Sequence, residues 1–176
     1  MSIIENWEQP TFAAAAHNGP DGWSVRLLPE SALLSLDDLL SDLRASREEG
    51  AVVGLVCAED DWVAVVRPVP SGMRVLLSDA TAALSYDLAN DLLDELDVDV
   101  PDEGEADSDE PWPEGDFDLL DDLGASEQVL SVIFDDDDLY GAAQIFRVAD
   151  ELGCAEELAD AAKLDLDDFL LADGDY

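Results

Sequence analysis

The spacing of apolar residues along this chain changes period several times, and each change predicts an element. Thr11–His17 is a short apolar run, followed by the turn-dense stretch His17-Asn18-Gly19-Pro20-Asp21-Gly22. Trp23–Leu28 then alternates as a strand, with Trp23, Val25 and Leu27 on one side. Leu36, Leu39, Leu40 and Leu43 switch to helical spacing, which predicts a helix from Leu36 to about Glu49 with Ser35 as its cap and Gly50 as its stop. Ala51–Ala58 is a continuous apolar run suited to a central strand, and Glu59-Asp60-Asp61 is a turn. Trp62–Val69 alternates again, Pro70-Ser71-Gly72 turns the chain, and Met73–Leu77 makes the third strand of a meander. Ser78 caps a second helix to about Leu96, with Ala80, Leu84, Leu88 and Leu92 inward. The predicted fold is α+β: an antiparallel sheet of order β-β-α-β-β-β-α with helices packed on it, then an acidic linker and a small helical bundle.

The linker is where periodicity fails. Val98 to Gly115 reads VDVPDEGEADSDEPWPEG, rich in proline and acids and poor in aliphatics, so it cannot bury enough surface to fold alone. The expected division is a sheet domain over 1–96, a linker over 97–115 and an acidic helical domain over 116–176. The helical part carries a short repeat: Asp122-Leu123-Gly124-Ala125-Ser126-Glu127-Gln128 matches Glu151-Leu152-Gly153-Cys154-Ala155-Glu156-Glu157. In each copy glycine can take the left-handed turn that ends one helix, and the acids then open the next. Two copies predict two helical hairpins. Leu130, Ile133, Phe134, Ile145, Phe146, Val148, Ala149 and Leu152 would form their core, with Asp135–Asp138 between them.

Charge sharpens this division. The first 93 residues hold 15 acids and 5 bases, the remaining 83 hold 30 acids and 2 bases, and the total is −38. Such a chain repels nucleic acid and anionic lipid, since binding either requires Lys and Arg against negative charge. Its surface is either simply solvated, as suits a salty cytoplasm, or complementary to a basic protein. Cys57 and Cys154 sit in apolar contexts and read as buried thiols of a reducing compartment. MSIIENWEQP is not a signal peptide, and no run reaches the ~18 apolar residues of a membrane span. A cytoplasmic location, with no membrane contact and no direct nucleic-acid binding, is expected.

The residues offer little chemistry. His17, the only histidine, stands beside a turn with no convincing Ser-His-Asp or Cys-His partner, and it reads as exposed rather than catalytic. Phosphate-loop, dinucleotide and Gly-x-Ser-x-Gly motifs are absent. An EF-hand fails because Asp97-x-Asp99 runs into Pro101, and zinc lacks clustered Cys and His. Asp135–Asp138 could attract divalent ions loosely, though such a run is more often a solvated loop. Arg26, Arg44, Arg47, Arg67 and Arg74 are best read as paired with nearby acids. No catalytic, cofactor-binding or metal-binding residue is therefore assigned, and no cofactor is expected. Trp23 and Trp62 read as sheet core. Trp112, between Pro111 and Pro113 in the acidic stretch, either anchors a partner or folds back on its own domain. The candidate contact residues are Asp102, Glu103, Glu105, Asp107, Asp109, Glu110 and Trp112.

Several segments together resemble the tRNA adenosine deaminase-associated proteins of actinobacteria. They are AVVGLVCAEDDWVAVVRP (Ala51–Pro68), VLLSDATAA (Val75–Ala83), FDLLDDLGAS (Phe117–Ser126) after the acidic linker, and ADELGCAEELADAA (Ala149–Ala162). Residues 1–50 match in layout more than in motif. The resemblance implies a partner of tRNA adenosine deaminase and carries no catalytic residues. The chain does not resemble the deaminase itself, whose chemistry needs H-x-E and P-C-x-x-C to hold zinc and activate water. Here His17 is followed by Asn18-Gly19, and the cysteines lie 97 positions apart. The expected function is a non-catalytic accessory protein docking on a basic surface of the deaminase. An acidic nucleic-acid mimic on another basic protein is the alternative, and a divalent-ion buffer the weaker third.

Overall fold

The computed structural model describes residues 11–20, 22–45, 51–58, 62–70, 72–100, 113–135 and 142–164. Among these, six strands form one antiparallel sheet: β1 (Phe12–Gly19), β2 (Gly22–Leu27), β3 (Ala51–Ala58), β4 (Trp62–Val69), β5 (Gly72–Leu77) and β6 (Glu114–Gly115). Their order across the sheet is β2-β1-β3-β4-β5-β6. Five α-helices accompany them: α1 (Leu36–Ala45), α2 (Asp87–Glu95), α3 (Glu127–Asp135), α4 (Ala142–Leu152) and α5 (Ala155–Ala162). The α+β class and the element order are those the apolar pattern predicts.

The sheet is covered on both faces, and the period of two sorts its residues between them. Phe12, Ala14, Ala16, Val53, Leu55, Cys57, Val63, Val65 and Leu76 join the core under α3, α4 and α5. Ala13, Ala15, Val52, Val56, Trp62, Ala64, Val66, Val75 and Leu77 join the core under α1 and α2. This explains why β3 is apolar throughout. Val52 to Ala58 are all buried because neither face of a central strand meets water. Trp62 to Val66 in β4 are buried in the same way, so the alternation expected there is between two cores rather than between core and solvent. Gly54 makes room for α1: a Cβ there would lie 2.8 Å from Leu43 Cδ1.

Local capping follows the sequence in the first helix and departs from it in the second. Ser35 Oγ accepts from the Asp38 N–H at 3.1 Å and so caps α1. Leu39 and Leu43 are fully buried, while Leu36 and Leu40 are half-buried. The single helix expected from Ser78 to Leu96 is instead a 3₁₀ turn (Ala80–Leu84) followed by α2. Asp79, not Ser78, caps the 3₁₀ turn by accepting from the Thr81 N–H at 3.0 Å. Ser78 is buried, and its Oγ accepts from the Val63 N–H at 2.9 Å. The change of helical type shifts the inward face: Ala80, Leu88 and Leu92 are buried as expected, but Leu84 is 41% exposed. His17 is corrected as well. It lies within β1, opposite Ser24 of β2 and Val52 of β3, and is half-buried.

The C-terminal helices share one core with the sheet. Leu130, Ile133, Phe134, Ile145, Phe146, Val148, Ala149 and Leu152 are buried in the same cluster as Val53, Leu55 and Val65. Both glycines of the repeat are left-handed, Gly124 at φ 110° and Gly153 at φ 96°, and each precedes a helix. The Gly153 turn lies against Trp23 on the edge strand β2, and α5 packs on β1 and β2.

Candidate partner-binding site

The acidic stretch is held at both ends. On its N-terminal side α2 stops at Leu96, and Asp97 takes a left-handed φ of 61°. That turn lets the Val98 N–H donate to Leu93 O at 3.0 Å. Val98 and Val100 then pack, half-buried, on the core under α1 and α2. On its C-terminal side Glu114 and Gly115 add a sixth strand to the sheet, opposite Leu77 and Leu76 of β5. The pairing needs glycine. Gly115 has φ 133°, and a Cβ on it would fall 2.2 Å from Val75 O and 2.8 Å from Leu76 Cα.

Two arginines then hold the following segment. Arg67 of β4 and Arg74 of β5 are cross-strand partners. Arg67 forms a two-pronged pair with Asp122, Nη1 to Oδ1 at 2.5 Å and Nη2 to Oδ2 at 2.9 Å, and also donates to Leu119 O at 2.8 Å. Arg74 pairs with Asp116 at 3.4 Å and with Asp118. The planar guanidinium suits this use, because its fixed fork matches a carboxylate. Pairing of these arginines with acids is as the sequence suggests. Their partners lie 42 to 55 positions away, beyond the linker, where no local spacing rule points.

The Arg67 hydrogen bond holds the Asp122 carboxyl below its usual value of 3.8, with partial burial working in the opposite direction. A depressed folded value means that the pair contributes stability above the unfolded pKa, and that this is lost as pH falls through the lower folded value. Asp122→Asn should therefore lower stability at neutral pH and converge with the parent protein in strong acid. Urea unfolding of both at pH 7 and pH 3 measures this; the same difference at both pH values would contradict the pairing. The effect is modest because Asp122 is 66% exposed.

All seven candidate contact residues, Asp102, Glu103, Glu105, Asp107, Asp109, Glu110 and Trp112, lie outside the described residues, as does Arg47. Asp135 ends α3, and the rest of the Asp135–Asp138 run also lies outside them. Among the described residues no group of three or more His, Cys, Asp or Glu is placed to hold a metal ion. No helix among them is long and apolar enough to cross a membrane. Cys154 is fully buried, and burial, with a smaller contribution from Glu157, pushes its thiol up to about 12. It is therefore protonated at neutral pH and a poor nucleophile. Trp62, read from the sequence as core, has an additional feature. It is buried at 1% exposure, yet its Nε1–H has no acceptor among the described residues.

The fold and this surface define a small polyanionic α+β protein in which Arg67 and Arg74 of the sheet are engaged internally. Residues 11–155 match the family described as Rv3753c-like tRNA adenosine deaminase-associated protein, and the chain belongs to that family. It is 44% identical over 163 residues to Protein Rv3753c of Mycobacterium tuberculosis, which covers 86% of this chain and 94% of that protein. No solved structure matches.

Proposed function

We propose that this protein is a non-catalytic accessory protein of the cytoplasm that binds a basic surface of tRNA adenosine deaminase and modulates its stability or its access to tRNA. The observation that carries this reading is the acidic segment tethered at both ends, by Val98 and Val100 on one side and by Gly115 and the Arg67–Asp122 pair on the other. Arg67 and Arg74 pair with Asp122 and Asp118 of the same chain, so neither is free to offset the acids of the stretch. The family description supplies the identity of the partner. Asp102, Glu103, Glu105, Asp107, Asp109 and Glu110 are the proposed steering charges, and Trp112 the proposed anchor.

The test is to mix the purified chain with purified deaminase from the same organism at low salt and measure the mass of the eluting species by light scattering. A single species at the summed mass is expected. The deaminase should then differ from the free enzyme in melting temperature or in turnover of tRNA. Two separate peaks at micromolar concentrations would overturn the partnership.

A further inference from the structure

β2 closes the sheet on one side, and among the described residues its only strand neighbour is β1. The register shows which of its backbone groups that neighbour uses. Just past the strand the Leu28 N–H donates to Ala13 O at 2.8 Å. The pairing behind it is unbroken, with Arg26 opposite Ala15 and Ser24 opposite His17. Hydrogen-bonded positions alternate along an antiparallel ladder. Ser24, Arg26 and Leu28 therefore direct their N–H and C=O groups to β1, while Trp23, Val25 and Leu27 direct theirs away from the sheet. Among the described residues no backbone group meets these outward ones. Gly22, Ser24, Arg26 and Leu27 are exposed, and the apolar Leu27 is so at 41%.

An edge of this kind is a template for another strand unless proline, charge, a bulge or a cover blunts it. Between Gly22 and Leu28 there is no proline and no bulge, and the one charged residue is Arg26. Charge selects the occupant. Residues 11–29 hold one acid, Asp21, and one base, Arg26, in a chain of net charge −38. A basic partner is drawn to the acids elsewhere and gains nothing at this neutral hairpin. A second polyanion of the same kind, by contrast, meets the least repulsion here.

We propose that this protein forms a two-fold dimer in which β2 pairs antiparallel with β2 of a second copy, joining the two sheets into one. The strand is complementary to itself. With the axis at Val25, Val25 stands opposite Val25 and Trp23 opposite Leu27, so every outward N–H meets a C=O of the other copy. Trp23 and Val25 pack on the core under α5, and Leu27, opposite Ala14 of that core, lies on the same face. There the exposed Leu27 of each copy meets Trp23 of the other. On the opposite face Ser24 meets Arg26, so the pairing opposes no two acids. The other side of the sheet ends in the two-residue β6, too short to template a strand, so growth stops at the dimer.

The test is light scattering of the full chain alone, from micromolar to millimolar concentration at low and high salt, with amide hydrogen exchange read at Trp23, Val25 and Leu27. The mass should rise from one chain to two with concentration, and exchange at the three amides should slow as it does. Salt should tighten the dimer, because it screens the repulsion between two acidic chains. That is the opposite of the salt effect expected for the deaminase, so the two readings fail separately. Val25→Pro removes an N–H that β1 does not use, a place where an edge strand tolerates proline. It should weaken the dimer at least about tenfold through the hydrogen bonds lost at the axis. Leu27→Glu, whose side chain reaches water in the monomer, should weaken it by a similar factor, and decides alone if the proline variant does not fold. A chain that stays monomeric at millimolar concentration in high salt would overturn the proposal. So would a dimer that salt dissociates or that Leu27→Glu leaves intact. Slow exchange at the three amides in a monomer would also overturn it, by showing the edge covered from within the chain.

Discussion

Gly115→Ala should destabilise this protein by about 3 kcal/mol, more than any other single-methyl addition at its described turns. Two costs combine. The added Cβ would meet backbone, Val75 O at 2.2 Å and Leu76 Cα at 2.8 Å, which cannot rotate aside as a side chain can. The φ of 133° is also one that L-residues rarely adopt. Relief requires β6 to leave the sheet, which would loosen the Asp116 N–H bond to Val75 O and the Arg74 pairs that follow it. Gly72→Ala is the control, since Gly72 also has positive φ, 146°, but nothing lies within 4 Å of its would-be Cβ. It should cost only the conformational part, about 1 kcal/mol. Urea unfolding of the two variants, with hydrogen exchange at Leu76, Leu77 and Asp116, measures the difference. Equal losses would show that β6 is not packed as described.

The second large effect concerns association. Replacing Asp102, Glu103, Glu105, Asp107, Asp109 and Glu110 by their amides should slow association with the deaminase by about tenfold or more at low salt, with a smaller change in dissociation. Charges at the rim of an interface act mainly by steering encounter. Trp112→Ala should do the reverse, leaving the on-rate near that of the parent and raising the off-rate by about thirtyfold. That factor corresponds to a buried anchor of about 2 kcal/mol. Neither change should alter folding, because the six acids and the tryptophan stand in the run whose sequence lacks apolar periodicity. If the amide variant associated as fast as the parent, recognition would have to lie on an uncharged surface instead.

How much of this was readable in the sequence depends on the range of the interaction. The strands were legible because burial on two faces gives unbroken apolar runs, as in Ala51–Ala58. The Ser35 cap and the two repeat glycines were legible because each acts within a few residues. The break between the 3₁₀ turn and α2 was not, since Ser78 is drawn away by the Val63 N–H of the neighbouring strand and Asp79 takes over the cap. Leu84 was misplaced for the same reason: it fits an α-helical stripe, whereas 3₁₀ geometry turns it outward. The short strand β6 hid inside a proline- and acid-rich stretch because its signal is one glycine that alone fits against β5. At the site, the acidic stretch was evident from composition. Its anchoring by Arg67 and Arg74 was not, because pairs separated by 42 to 55 residues leave no mark on local spacing. That the Trp62 N–H lacks an acceptor among the described residues was equally invisible, since a sequence shows an indole but not what faces it.

The most direct measurement of the central claim is the association rate of this protein with tRNA adenosine deaminase over a series of salt concentrations, repeated with free tRNA present. Exposed charges are screened beyond about 8 Å at physiological ionic strength. The on-rate should therefore fall steeply with salt, the off-rate should barely change, and tRNA should compete for the same basic surface. Binding that is independent of salt would contradict an electrostatic interface, and undiminished binding in saturating tRNA would contradict an effect on tRNA access.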